Sequence, residues 1–177
     1  VPRLDASRST VAVIDLQTRL MPAIRNGDAI VANARRLLTA AGLLGVPALF
    51  TEQNPRGLGN TVPELAADPS TVVAKMTFDA TPAPGLMERL GPDHAVVLAG
   101  CEAHVCVLQT ALGLQEHGRQ VYVVEDAVGS RTAESKAAAL RRMERHGVEI
   151  ITTEMALFEW LGSAEHPRFR EVIALIK

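Results

Sequence analysis

Cys106, Asp15 and Lys75 are the residues of this chain whose types could do chemistry together: a thiol, a carboxylate and an amine. A carboxylate can take a thiol proton, and a nearby ammonium can hold the carboxylate and the resulting thiolate in place. Cys106 falls where the apolar run Val96 to Ala99 passes Gly100 and gives way to a helical pattern. A thiol at the start of a helix meets the free N–H groups and partial positive charge there, which favour the thiolate. A buried cysteine can equally be a small inert hydrophobe. Lys75 directly follows a short apolar run in a chain with 15 Arg and only three Lys. A Lys kept in an Arg-preferring sequence suggests a need for a compact cation, although a solvated Lys at a strand end reads the same way. Asp15 is ambiguous alone, because acids often satisfy turns at strand ends.

These residues must be positioned by the elements before them. Thr10 to Asp15, Val46 to Thr51, Thr71 to Ala74, Ala95 to Ala99, Gln120 to Val124 and Val148 to Thr152 read as six short buried strands. Helical patterns lie around Asp28 to Leu44, Leu86 to Leu90, Val105 to His117, Ala133 to His146, Glu154 to Leu161 and Pro167 to Ile176. Strands alternating with helices predict βαβ units and a parallel sheet covered on both faces. Ligands of such sheets bind beyond the C-terminal strand ends. The polar residues there are Asp15, Glu52, Gln53, Lys75, Cys106 and Asp126.

The chain has 177 residues, 47% of them hydrophobic and only 3% aromatic, so residues 1–177 are read as one globular domain with an aliphatic core. The net charge of −2, with no basic block and no aromatic platform, argues against a nucleic-acid partner. No apolar run is long enough to span a bilayer. There is no signal-peptide pattern and no starting Met, so the N-terminus is read as trimmed and the protein as cytoplasmic. The two cysteines, Cys101 and Cys106, are not spaced as Cys-x-x-Cys. With His104 they could be imagined as metal ligands, but no second cluster completes such a site. A dinucleotide-binding Gly-x-Gly-x-x-Gly, a P-loop and a Gly-x-Ser-x-Gly elbow are all absent, and no cofactor is expected.

Taken together, Val13-Ile14-Asp15-Leu16-Gln17, Val73-Ala74-Lys75, Gly100-Cys101-Glu102-Ala103-His104-Val105-Cys106 and Asp126-Ala127-Val128-Gly129-Ser130-Arg131 resemble the isochorismatase-like cysteine hydrolases. The resemblance runs from about residue 10 to the end. It is closest to the isochorismatase domain-containing group, through Thr51-Glu52-Gln53, Thr61-Val62-Pro63-Glu64-Leu65, the Cys106 segment and His166-Pro167-Arg168-Phe169. It implies an α/β fold in three α/β/α layers, with a six-stranded parallel sheet in the order 3-2-1-4-5-6. Asp15 and Cys106 then flank the switch point. The resemblance further implies Cys106 as nucleophile, Asp15 as general base or acid and Lys75 as their electrostatic partner. It also implies a cis Cys101–Glu102 peptide and an oxyanion hole from the backbone N–H groups of Glu102 and Cys106. Members of the superfamily commonly form dimers or larger assemblies, so a homo-oligomer is expected.

One departure narrows the chemistry. Nicotinamidases of this superfamily carry an Asp-x-His metal motif after the second strand, where this chain has Gln53-Asn54-Pro55. Isochorismatase itself lacks the nucleophilic cysteine. The expectation is a metal-independent cysteine hydrolase acting on a small amide or related acyl compound. The alternatives are a non-catalytic member that binds a small molecule or a protein in the same pocket, and a thiol-based sensor using Cys101 and Cys106. Leu16, Gln17, Leu20, Gln53 and Phe78 are candidate pocket walls, each of which also fits ordinary packing. His104 is two residues from Cys106 and is expected to point elsewhere. Cys101 is expected to end a strand and be inert, and Asp126 and Arg131 to fix the loop after the fifth strand.

Overall fold

Apolar, β-branched runs covered on both faces build the centre of the molecule. The computed structural model describes residues 3–177. Its strands are β1 (Ser9–Ile14), β2 (Ala48–Gln53), β3 (Val72–Lys75), β4 (Ala95–Cys101), β5 (Val121–Gly129) and β6 (Glu149–Ile151). All pair in parallel, in the order β3-β2-β1-β4-β5-β6. This is the order that the resemblance implies. Every residue of β1 is buried, and all of β4 except its first residue. Fully covered central strands need no polar alternation, which is why they read as continuous apolar runs.

The helices divide between the two faces. On one, α1 (Gly27–Leu43), α6 (Thr153–Leu161) and α7 (Phe169–Ile173) cover a core that includes Val11, Val13, Leu37, Val97 and Trp160. On the other, α4 (Leu108–Glu116) and α5 (Ala133–Arg145) cover Ala12, Ile14, Leu98, Val107, Leu114 and Met143. Two single turns, α2 (Pro55–Leu58) and α3 (Leu86–Arg89), lie in the connections flanking β3. Truncating a fully buried leucine such as Leu37 or Leu98 to alanine costs about 2–5 kcal/mol, through lost transfer energy and the cavity left behind.

Several boundaries differ from the expected ones, and four of them bear on the site. β2 runs to Gln53 and β3 through Lys75, which pairs in register with Gln53. Glu52, Gln53 and Lys75 are therefore strand residues and not loop residues. The helix expected from Val105 starts as a π-helical turn, Ala103–Val107, before α4 begins. β5 does not end at Glu125–Asp126. Leu98 pairs with Val123 and Gly100 with Val128, so β5 bulges outward between them and rejoins β4. The acids in the bulge look like a strand end in sequence, because nothing local reveals that pairing resumes.

Candidate active site

Asp15 follows β1 directly, in a left-handed conformation with φ of 49°. Its position is fixed from the neighbouring strand: its N–H donates to the Thr51 carbonyl at 3.2 Å, and the Thr51 hydroxyl donates to its Oδ1 at 2.7 Å. On the other side of β1, Gly100 of β4 has φ of 127°. A Cβ there would lie 2.0 Å from the Ile14 carbonyl oxygen, so only glycine lets β4 pass this close to the residue before Asp15.

Lys75 reaches across from β3. Its Nζ donates to Asp15 Oδ2 and Gln53 Oε1, both at 2.9 Å, and to the carbonyls of Thr77 at 3.0 Å and Phe78 at 3.2 Å. The Lys75 and Asp15 side chains are both buried. Such a pair is costly to desolvate and even costlier to break, because removing one partner strands the other charge. The complete set of acceptors around Nζ is what makes its burial tolerable.

Cys106 is the fourth residue of the π-helical turn and is 6% exposed. π-helical turns inside longer helices are frequent at functional sites. The thiol faces both members of the ion pair. Burial, then the Asp15 carboxylate, push its pKa up to about 12, while the Lys75 ammonium pulls the other way. Burial at this site therefore favours the protonated form of Cys106. This runs against the expectation that a helix start favours the thiolate: desolvation and the adjacent carboxylate act in the opposite direction. Asp15, Lys75 and Cys106 thus converge at the C-terminal edge of the sheet, where β1 and β4 meet. A buried thiol, a carboxylate and an ammonium in contact can pass a proton from sulfur to carboxylate while the ammonium stabilises the negative charge.

The family model for the isochorismatase domain matches residues 9–155. The chain belongs to the isochorismatase family. It is 40% identical to isochorismatase domain-containing protein 2A of Mus musculus, covering 99% of this chain and 85% of that one. Among solved structures it resembles the MAR1 ribonuclease of Caenorhabditis elegans, with a TM-score of 0.94 and 38% identity over 99% of this chain and 92% of that one. It also resembles the YcaC gene product of Escherichia coli, described as an octameric hydrolase of unknown specificity, with a TM-score of 0.85 and 25% identity over 99% of this chain and 88% of that one.

In this isochorismatase-family site the Cys101–Glu102 peptide is cis. The Glu102 carbonyl accepts from the N–H groups of Val105 and Val107, and its side chain accepts from Arg131 N and Nε, at 3.2 and 3.1 Å. His104 turns to the Ser130 hydroxyl, 2.8 Å from its Nδ1. Asp126 accepts from the N–H and hydroxyl of Thr153, which ties the β5 bulge to the start of α6. Cys101 packs in the core on the α1 face and Cys106 in the core on the α4 face, both as free thiols. That separation removes the basis for a Cys101–Cys106 sensor.

The expected pocket walls divide. Gln53 and Phe78 adjoin Lys75, and Phe78 is half exposed. Leu16 and Gln17 are corrections: both are completely buried. Leu16 belongs to the α1-face core. The Gln17 amide accepts from Gln53 N and donates to the carbonyls of Gln53 and Gly59, bracing the site from behind. Leu20 is half-buried against the α1-face core, away from the layer that holds Cys106. The Gln53–Pro55 stretch does not fit a metal. The Gln53 amide is committed to Lys75 and the Met76 carbonyl, and among the described residues no three His, Cys, Asp or Glu side chains gather at metal-binding distance. Sequence reasoning missed Thr51 and Gly100. Gly100 carried a signal, a glycine closing a buried strand; Thr51 carried none, because its role depends on register.

Proposed function

We propose that this chain is a metal-independent cysteine hydrolase acting on a small amide or related acyl compound, with Cys106 as nucleophile. The observation that carries the reading is the buried Asp15–Lys75 ion pair facing the Cys106 thiol. A structural cysteine needs neither partner, and a buried ion pair with no task is an expensive way to fill a core.

Asp15 takes the thiol proton as sulfur attacks the acyl carbon, so a neutral thiol at rest is the right starting state. Lys75 compensates the charge that moves from carboxylate to sulfur. The oxyanion that forms accepts from the N–H groups of Glu102 and Cys106. As the carbon–nitrogen bond breaks, Asp15 returns its proton to the leaving amine, leaving a thioester on Cys106. Water then attacks the thioester, Asp15 takes one water proton and passes it to the departing thiolate, and the acid leaves. A small, uncharged reacting group suits a site with so little exposed surface.

The family relationship supports a hydrolase. The octameric state of the Escherichia coli relative supports assembly of this chain into a homo-oligomer, and free cysteines fit a reducing compartment such as the cytoplasm. The name of the Caenorhabditis elegans relative supplies a second reading, ribonuclease. The charge of −2 and the buried thiol favour the acyl reading over one in which a polyanion must reach Cys106. The deciding experiment is a screen of small amides, esters and a single-stranded RNA with wild type and Cys106→Ser. Amide or ester turnover lost in the variant is expected. RNA cleavage that survives in Cys106→Ser would overturn the proposal, as would acyl turnover at the wild-type rate in that variant.

A further inference from the structure

The helix face that presents Cys106 continues through Thr110 and Gly113, at i, i+4 and i+7. Both are buried, and both touch the loop that follows Lys75. Thr110 Oγ1 accepts from the Ala80 N–H at 3.0 Å, in a fully buried bond. Gly113 leaves space for Asp79: a Cβ on Gly113 would lie 2.5 Å from Asp79 Oδ2. Asp79 in turn organises its own loop. Its carboxylate accepts from the N–H and hydroxyl of Thr81, both at 2.8 Å, and its carbonyl accepts from the Thr77 hydroxyl at 2.6 Å. This loop supplies the Thr77 and Phe78 carbonyls on the Lys75 ammonium. One helix face therefore sets the thiol at one end and rests against the Lys75 cradle at the other.

We infer that Thr110, with Gly113 as its spacer, is a positioning residue that locks the Thr77–Thr81 loop to the Cys106 helix and so holds the Lys75 ammonium against the thiol. The inference rests on the reading of Cys106 and Lys75 as working parts of one site. A residue that merely stabilised α4 would affect folding but not the potential felt by the Cys106 sulfur. The Ala80 N–H has a side-chain acceptor only because Thr110 carries a hydroxyl, so Thr110→Val removes the lock at almost constant volume and Thr110→Ser retains it. Gly113→Ala pushes on the same loop through Asp79 while favouring the helix itself.

The test is the ratio of Cys106 alkylation rates with iodoacetate and iodoacetamide, mapped by mass spectrometry on the full chain. Both reagents need the thiolate and the same access, so the ratio isolates the local charge. Wild type and Thr110→Ser should share one ratio. Thr110→Val and Gly113→Ala should lower it by at least about threefold, a fraction of the attraction between unit charges at close range. A wild-type ratio in either Thr110→Val or Gly113→Ala overturns the proposal, and so does a fall in Thr110→Ser equal to that in Thr110→Val. Gly113→Ala keeps the test decisive if Thr110→Val fails to fold. Acyl turnover in Cys106→Ser reports separately on the nucleophile: if turnover persists while the ratio falls in Thr110→Val, the assigned chemistry fails and the positioning role stands.

Discussion

A thiol with its pKa pushed up to about 12 fits the proposed mechanism, in which Cys106 gives up its proton during attack to a base already in place. Cys101 is also pushed up to about 12, chiefly by burial, so thiolate fraction does not separate the two cysteines. Access does: Cys106 is 6% exposed and Cys101 is sealed. Iodoacetamide should therefore label Cys106 first, with a rate that keeps climbing above pH 9 and does not level off near neutrality. A plateau below pH 8 would contradict the protonation state assigned here. Cys106→Ser should lower turnover of any acyl substrate by on the order of a thousandfold or more. Lys75→Met should slow labelling of Cys106 and destabilise the fold by about 3–5 kcal/mol, because it strands the Asp15 carboxylate; denaturant titration measures this. Both raised thiols hold their protons more tightly folded than unfolded. Their contribution to stability is fully present below the unfolded value near 9 and is lost as pH rises through about 12. Thermal melts across that window should show falling stability, with a shallower fall in Cys106→Ser.

At the scale of elements, the junction of β1 with β4 does the positioning. The Gly100 backbone runs so close to Ile14 that the position excludes any side chain. Gly100→Ala should cost about 3 kcal/mol or more, from steric overlap and an unfavourable φ together. Its damage should reach Asp15, so that acyl turnover falls by more than the loss of folded protein explains; comparing activity per folded molecule with the melt checks this. The π-helical turn between β4 and α4 is the second device. It sets Cys106 on the face it shares with Thr110, which lets one helix answer to two strands.

The whole molecule supplies two layers that shield opposite faces of one sheet, with Asp15, Lys75 and Cys106 gathered at its C-terminal edge. Among the described residues no helix is long and apolar enough to cross a membrane. If turnover is metal-independent, chelator dialysis should leave it within about twofold, a change well under one kcal/mol in barrier height; loss restored by zinc, iron or manganese would refute that. Light scattering at micromolar concentration should give a mass at least about twice the 18.9 kDa of the chain, and a monomer would count against assembly. The exposed Met76 and Phe78 side chains beside Lys75 offer apolar surface near the site.

Strand and helix periodicity, the Cys106 segment and the positions of Asp15 and Lys75 were all legible without coordinates, because buried parallel strands and tight glycine turns leave local marks. So was the sheet order, once those marks matched a family. The resting state of the thiol was not legible. It depends on how much water the fold removes around Cys106 and on Asp15 arriving from 91 positions earlier in the chain, neither of which is a local property. The partners of Lys75 were hidden for the same reason, since register places Gln53 beside it and a loop folds back to add two carbonyls. Leu16 and Gln17 looked like pocket walls because they follow a strand end, yet the turn after β1 sends them inward. Residue type and order determined which groups could react. Only the packing of β1, β3, β4 and the Cys106 helix decided which of them meet, and how far the Cys106 thiol is removed from water.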